Sequence, residues 1–508
     1  MDHPDKLFSA SQIRAADAYT IQHEPIKSLA LMERAATACF EWIRNRPFKA
    51  LNIHVFCGPG NNGGDGLALA RLLLEAGYAV GVYIVRCTDR CSEDFIANEQ
   101  SLKEIPTIQV TDIREGDAFT VIHKDDVVID ALFGTGLSKP VSGLAANVIK
   151  HLNESKGTII SIDIASGLFA DKHSDQCSAI IKPKYTLSFQ FPKLAFLFPE
   201  NETFVGEFDI LDIGLHKQFI ENEPAQNYFL RRHFIKRLIQ PRGKFSHKGT
   251  FGHALLIAGS YGKTGAAVLS AKAVLRSGAG LLTVNTPQCG YGILQSTVPE
   301  AMVLTDKDEK FITASVVTGN YSAIGIGPGI GTEEKTQQAV KSILESSSKP
   351  MVIDADALNC ISLNKELLSL VPENSILTPH VKEFERLAGK ATDDFDRNRL
   401  QVEFSKTYKV FVVLKGAHTC ISTPRGNCYF NSTGNPGMAK GGSGDVLTGI
   451  ITGLLAQGYP PLYAAILGVY VHGFAGDKAK EKKGETGMIA TDLIEALPEA
   501  FLILSDRS

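Results

Sequence analysis

Apolar positions in the first 45 or so residues recur at helical spacing. "SASQIRAADAYTIQ" and "SLALMERAATACFEWIRN" set their aliphatic residues three and four apart, and a serine precedes the first as an N-cap candidate, so two helices are predicted. The period then changes. "LNIHVFC", "AVGVYIV", "DVVIDALFGTG" and "GTIISIDIASG" are short apolar runs, and the last two end in polar, glycine-bearing turns. "GPGNNGG" reads as a loop after the first run, and "DGLALARLLLEAG" as a helix ended by Gly77. Strands alternating with helices predict a parallel sheet with ligands at its C-terminal strand ends. "KYTLSFQFPKLAFLFPEN" and "GEFDILDIGL" read as closing strands of this unit.

After Leu215 the pattern breaks. "HKQFIENEPAQNYFLRRHFIKRLIQPRGKFSHKG" is polar and charged and has no glycine before Gly243. It is predicted to be a linker leading into a second domain, with "RRHFIKR" as a solvated surface run. The boundary is placed near residue 225, which gives domains 1–225 and 226–508. A second series of buried strands follows: "HALLIAGS", "LLTVNT", "YSAIGIGPGIG", "PMVIDADAL", "SILTPH" and "VFVVLKGA". An alanine-rich helix, "GAAVLSAKAVLRSGAG", comes after the first of them. No internal repeat relates the halves, so two different α/β folds are expected.

Composition removes several function classes. The chain has 508 residues, 44% hydrophobic and 21% charged, enough for full cores. Its 52 basic and 55 acidic residues leave a net charge of −3, which argues against nucleic acid as a partner. Nine scattered cysteines, an odd number, suit reduced thiols and a cytoplasmic location, and their spacing lacks the second pair of a zinc site. "MDHPDKLFSA" has no secretory h-region, and no apolar run approaches the roughly 18 residues of a membrane span.

Candidate chemistry lies in two glycine-rich stretches. In "CGPGNNGGDG", Gly58, Gly60 and Gly63 match G-x-G-x-x-G between a strand and a helix. A dinucleotide turn also needs an acidic residue ending the second strand. Here that strand ends "YIVRCTDR", and Asp89 comes too late. A tight left-handed turn ahead of the helix accounts for the glycines, but not for Asn61, Asn62 and Asp65. Asp130, before "FGTGLSKP", and Asp163 and Ser166, in "DIASG", stand at further strand ends. Asn62, Asp130 and Ser166 are hard oxygen donors suited to a group-one or group-two cation.

The second stretch is "GNPGMAKGGSGDVLTGI". A glycine turn aims successive N–H groups inward, and a helix N-terminus adds its dipole, so "KGGSGDVLTGIITGLLAQG" suits phosphate. Asp445 at the junction is either a helix cap or the general base for a hydroxyl attacking a phosphoryl group, and the glycine density favours the base. "GPGIG" and "VIDADAL", with Asp354 and Asp356, are expected at the same sheet edge in a ribokinase-like arrangement. No Walker A lysine loop occurs.

Both halves resemble one known family. "LMERAA", "GPGNNGGDGLALAR", "DALFGTGLSKP" and "SIDIASGL" are similar to the epimerase domain of the NAD(P)H-hydrate repair enzymes, over roughly residues 9–216. "HKGTFGHALLIAGS", "GAAVLSAKAVLRSGAGLLTV", "LTPHVKEFERL", "VVLKGAHT" and "NPGMAKGGSGDVLTGI" are similar to its dehydratase domain, over roughly 228–505. The resemblance implies a Rossmann-like parallel-sheet domain followed by a ribokinase-like α/β domain. It implies repair of hydrated NADH or NADPH by epimerisation of the R and S hydrates and nucleotide-dependent dehydration of the S form. The implied donor is ADP (or ATP), releasing AMP and phosphate from ADP, with Mg²⁺ and K⁺ as cofactors. By the same resemblance Asn61, Asn62, Gly63, Gly64 and Asp65, with Gly134, Thr135, Gly136, Leu137, Ser138, Lys139 and Pro140, line the first substrate site. Asp163 is its reactive carboxylate, and Asn62, Asp130 and Ser166 hold K⁺. Ala266, Gly329 and His380 contact the hydrate in the second site; Lys415, Gly416, Ala417, His418, Thr419 and Gly444 contact the nucleotide; and Asp445 is the base. Further copies of the same chain are the expected protein partner.

Departures from the family pattern are Ala165 for the usual Pro, "ADKH" for "ADTG", Val381 and Lys382 for Pro-Gly, and Lys440 for Thr. The alternatives are a ribokinase-like vitamin or sugar kinase fused to a non-catalytic binding module, and an interaction module of RNA metabolism. A kinase leaves a stable phosphorylated product, whereas the dehydratase frees phosphate. The near-neutral charge and the intact first site argue against the RNA module.

Overall fold

A computed structural model describes residues 4–46, 48, 52–106, 108–175 and 177–506. The chain divides into one compact unit of Lys6–Ala225 with Asp393–Phe395, and another built from Gln226–Thr392 and the residues from Asp396 on, together with Asp5.

The first unit holds a seven-stranded sheet, parallel throughout. Across it run Gln109–Ile113, Val80–Val85, Ile53–Cys57, Val127–Ala131, Thr158–Ile162, Tyr185–Phe189 and Glu207–Leu211. The chain order reverses between Ile53–Cys57 and Val127–Ala131, which makes a crevice beyond their C-terminal ends. All five residues of each of these two strands are buried, as their unbroken apolar runs require. The helix Ala10–His23 starts at Ser9 through a capping box with Gln12.

The predicted loop over Gly58–Gly64 needs correction. The helix starts at Asn61, so Asn61, Asn62, Gly63 and Gly64 form its first turn. Gly58, Gly60 and Gly63 all have ordinary negative φ, so the glycines do not serve a left-handed turn. Close backbone approach explains two of them: a Cβ on Gly58 would lie 1.9 Å from the Leu132 carbonyl oxygen, and one on Gly63 1.8 Å from that of Gly58.

In the second unit strands lie side by side in the order Asn227–Leu230, Cys428–Asn431, Cys420–Ser422, Phe411–Leu414, Ile376–Leu377, Met351–Ile353, Ala323–Ile326, His253–Ile257, Leu281–Thr286 and Met302–Thr305. Cys420–Ser422 runs antiparallel to both neighbours and the other pairings are parallel. The predicted linker is largely structured. It contains the helix Lys217–Asn222, the strand Asn227–Leu230 and the helix Arg232–Leu238, and "RRHFIKR" buries Phe234 and Ile235. "PMVIDADAL" is a strand only to Ile353, and Ala355–Leu363 is helical.

The helix Ser443–Ala456 is buried from Val446 onward, as an all-round apolar segment demands. It packs on Thr264–Arg276 through small residues. A Cβ on Gly449 would stand 2.3 Å from the Ser270 carbonyl oxygen, and one on Gly453 2.8 Å from that of Val274. Glycines four apart therefore set how closely the two helices approach.

Candidate functional sites

In the first unit the crevice widens into a cavity of about 740 Å³. It is bordered by Asn61, Asn62 and Asp65, by every residue from Gly134 to Pro140, and by Asp163. Gly63 and Gly64 are buried and do not border it; their work is packing. Gly134 lies between two of the key side chains. A Cβ on it would be 3.4 Å from the Asn62 Cβ and 3.5 Å from Asp163 Oδ2.

Asp163 sits just past the strand Thr158–Ile162 with φ 66°, a left-handed conformation that costs a non-glycine residue about 1 kcal/mol or more. Its Oδ1 accepts a 2.5 Å bond from Lys193, whose side chain is wholly buried. The ammonium also donates to Ser188 Oγ at 2.8 Å. One carboxylate oxygen is thus fixed by a cation, and Oδ2 is left toward Gly134. Sequence reasoning missed Lys193: "FPK" gives no local signal, and only the chain's return beside the Asp163 strand brings the two together.

Asp130 is fully buried. Its carboxylate accepts bonds from Ser161 Oγ (2.7 Å), Ser166 N (2.9 Å), Ser166 Oγ (2.6 Å) and Leu132 N (3.3 Å), none of them from a cation. Burial raises its pKa despite these bonds. Both polar atoms of the Asn62 amide are buried and make no hydrogen bond among the described residues. The orphaned amide and a buried carboxylate whose hydrogen-bond partners are all uncharged are each the kind of oxygen donor that a cation would satisfy. Of the sequence departures, "ADKH" reaches this site, because Lys172 donates to the Ser138 carbonyl at 3.0 Å.

The second site collects at the parallel strand ends of the other unit. Gly442, in a left-handed conformation with φ 91°, caps the helix Ser443–Ala456, so the helix begins two residues before Asp445. The Asp445 side chain makes no cap. Burial, then the charges of Asp354 and Asp356, push its carboxyl up to about 7, with Lys415 pulling the other way. Lys415 Nζ pairs with Asp354 Oδ1 at 3.0 Å and lies 3.8 Å from Glu383. Thr448, one turn beyond Asp445, donates to Asp354 Oδ2 at 2.6 Å. Burial opposes the Lys415 charge, but Asp354, Glu383 and Asp445 hold its pKa above the ordinary lysine value. A Cβ on Gly444 would lie 3.5 Å from Lys415 Nζ and 3.8 Å from Asp354 Oδ2.

Two more predicted residues sit together: a Cβ on Gly329, whose φ is 64°, would be 3.1 Å from that of Ala266. His380 caps the helix Val381–Ala388 and bridges to Lys415 across the strand ends. Lys382 is exposed and gives its backbone N–H to His380 Nδ1 at 3.1 Å. In the Lys415–Thr419 turn, Thr419 Oγ1 donates to the Gly416 carbonyl at 3.0 Å, Ala417 is exposed, and the His418 ring meets the Asn431 carbonyl at 3.0 Å. Lys440 donates at 2.6 Å to the carbonyls of Thr486 and Met488 and so ties down the turn before the helix. His472 was not foreseen. Burial depresses its pKa to about 4, and its Nε2 meets the Ser443 carbonyl at 2.9 Å, fixing the helix start.

The family described as YjeF-related protein N-terminus matches residues 28–195, and the family NAD(P)H-hydrate dehydratase matches residues 254–499. The bifunctional NAD(P)H-hydrate repair enzyme Nnr of Moorella thermoacetica is 34% identical over 519 residues, covering 99% of this chain and 97% of its own. The enzyme of that name from Coxiella burnetii is 34% identical, covering 97% of this chain and 98% of its own. A crystal structure of the ADP/ATP-dependent NAD(P)H-hydrate dehydratase of Bacillus subtilis, with ATP and Mg²⁺, is 32% identical. It covers 54% of this chain and 98% of its own, with a TM-score of 0.49.

Proposed function

The chain belongs to the bifunctional NAD(P)H-hydrate repair enzymes, and we propose on that premise that it restores NADH and NADPH from their hydrates in two steps. Domain 1–225 interconverts the R and S hydrates, and domain 226–508 dehydrates the S form at the expense of a nucleotide, with ADP as the preferred donor. The observation that carries the reading is Asp445: a carboxyl held at about 7, uncommitted to any cap, beside the Asp354–Lys415 pair at a glycine-led helix start.

The dehydration follows from those groups. Asp445 takes the proton of the C6 hydroxyl, and the hydroxyl oxygen attacks the terminal phosphoryl group of ADP, expelling AMP. The C6–O bond then breaks with its electron pair leaving on inorganic phosphate, and C5 gives up a proton to solvent as its C–H pair forms the C5=C6 double bond. Phosphate leaves far more readily than hydroxide, which gives the nucleotide its purpose. Backbone N–H groups around Gly444 and the Lys415 ammonium face the developing negative charge.

Mg²⁺, when bound, supplies positive charge to the transferring phosphates. The carboxylates here are already partnered, Asp354 by Lys415 and Thr448 and Asp356 by Lys263 and the Gly331 N–H, so the phosphates and water are its expected main ligands. In the first unit the orphaned Asn62 amide and the Asp130 carboxylate, with Ser166, form an oxygen donor set that fits K⁺. There Asp163 is the reactive carboxylate, and the loop Gly134–Pro140 holds the ring. Nine free thiols are consistent with a cytoplasmic setting, and among the described residues no helix is long and apolar enough to cross a membrane.

The test is incubation of the full chain with chemically hydrated NADH and ADP. Recovery of reduced-nicotinamide absorbance with matching release of AMP and phosphate is expected. A stable phosphorylated hydrate, or no ADP consumption, would replace the reading with a kinase or a binding module.

A further inference from the structure

The cavity of the first unit has, besides Asp65 and Asp163, a carboxyl group that neither the strand-end pattern nor the family motifs singled out. Asp17 lies on the helix Ala10–His23, one turn after Ile13, and Ile13, Arg14 and Asp17 all border the cavity. Asp163 borders the same space from the end of the sheet. The two carboxyl groups have unlike surroundings. Asp163 is held by the buried Lys193 ammonium at 2.5 Å. Among the described residues, no hydrogen bond or ion pair reaches the Asp17 carboxyl. The charged groups around it are Arg14 on its own helix, Asp65 from the helix Asn61–Glu75, Asp163 from the sheet, Lys193 from the turn after Tyr185–Phe189, and Lys139 from the cavity loop. Burial first, and then the Asp163 charge, push the Asp17 carboxyl up to about 7, against the pull of Lys193. Asp65, deeper still, is raised by burial and by Asp163, Asp17 and Asp94.

Moving a hydroxyl from one face of a carbon to the other needs an acid and a base in one site, and a pair of carboxyls separated by environment supplies them. We propose that Asp17 is the proton donor of the epimerisation and Asp163 its acceptor, an assignment that rests on reading the first unit as a hydrate epimerase. Asp17 gives its proton to the C6 hydroxyl. The C6–O bond breaks with its electron pair going to the departing water, and the N1 lone pair forms a C6=N1 double bond. A solvent water then adds to the other face of C6, the π pair returns to N1, and Asp163 takes the proton that this water sheds. One water leaves and one enters. The proton carried from Asp17 to Asp163 returns through solvent, and the reverse reaction exchanges the two roles. Oxygen Oδ2 of Asp163, the one not held by Lys193, is the acceptor.

The experiment uses the full chain and a single purified epimer of hydrated NADH without nucleotide, following the other epimer by chromatography. For Asp17→Asn, kcat should fall by about 10²- to 10⁴-fold with KM within about threefold of the wild type. Asp17→Glu should keep the rate within about tenfold. In the wild type the rate should decline as the pH rises through about 7, and the residual rate of Asp17→Asn should lack that decline. In ¹⁸O water the inverted product should carry one solvent oxygen per turnover. An Asp17→Asn rate within threefold of wild type overturns the proposal, as does a defect confined to KM. A wild-type rate level from about pH 6 to 9, or a product that keeps its original oxygen, overturns it even where the variant does not fold. Asp163→Asn separates the two readings. Normal epimerisation in that variant sinks the site assignment itself, whereas loss there with full activity in Asp17→Asn sinks only the role of Asp17.

Discussion

Asp445→Asn tests whether the second site stores free energy in its base. The carboxyl lies at about 7 against an ordinary 3.8. At 1.36 kcal/mol per tenfold shift, holding its charge in the folded chain costs at most about 4 kcal/mol relative to the unfolded chain. The folded value is the higher one, so the folded state binds the extra proton between about pH 4 and 7, and stability declines as pH rises across that window. At pH 5 only roughly a third of the cost has developed; by pH 8 all of it has. Asparagine keeps the shape and never ionises. The variant should therefore gain stability over wild type, by up to about 4 kcal/mol at pH 8 and roughly 3 kcal/mol less than that at pH 5. Urea denaturation of both proteins at the two pH values reads this directly. The same substitution should slow ADP-dependent dehydration by about 10²- to 10⁴-fold. A stability gain that does not grow with pH, together with near wild-type dehydration, would refute the reasoning and reduce Asp445 to a first-turn helix residue.

Dehydration of the S hydrate by the wild type should rise as pH passes upward through about 7, because Asp445 accepts a proton only when ionised; a profile flat from pH 6 to 8.5 would contradict this. Lys193→Met leaves the Asp163 carboxylate buried without its cation, so a loss of about 3–5 kcal/mol in thermal or urea melts and a collapse of epimerisation are expected. Gly63→Ala and Gly60→Ala form a matched pair. The first drives a Cβ to 1.8 Å from a backbone oxygen and should destabilise strongly, while the second meets nothing within 4 Å and should change melting little. Replacing K⁺ with tetramethylammonium should slow epimerisation in the wild type, and Asn62→Leu should abolish that cation dependence.

Much of the fold was legible because parallel strands buried on both faces have to be continuous apolar runs, and Ile53–Cys57, Val127–Ala131, His253–Ile257 and Leu281–Thr286 are of that kind. The misread parts were those where tertiary pairing overrides local pattern. Asn227–Leu230 lies in a charged stretch and is a strand that pairs with the distant Cys428–Asn431, and Cys420–Ser422 is three residues long. The glycines of the first loop were visible, but their purpose was not. The sequence cannot say whether a glycine is needed for φ or for proximity, and here Leu132, distant in the chain, decides it.

The two sites divide in the same way. Asp163 and Asp445 could be picked out because glycine and strand-end chemistry surround them in the chain. The groups around them were only partly visible: Asp354 and Lys415 stand in strand-end motifs, whereas Lys193 and Asp17 carry no local signal. Lys193 comes from a turn 30 residues after Asp163, Asp354 and Lys415 reach the helix of Asp445 from separate strands, and Asp17 reaches the first cavity from an N-terminal helix. Lys193 and Asp17 each look, in their own segments, like an ordinary surface charge. The sequence therefore carries the reacting group together with its backbone cradle, while the charged partners of its side chain are assembled from distant residues. Reading function at the level of mechanism requires the sheet order first, because the sheet order decides which carboxylate meets a lysine and which meets another carboxylate.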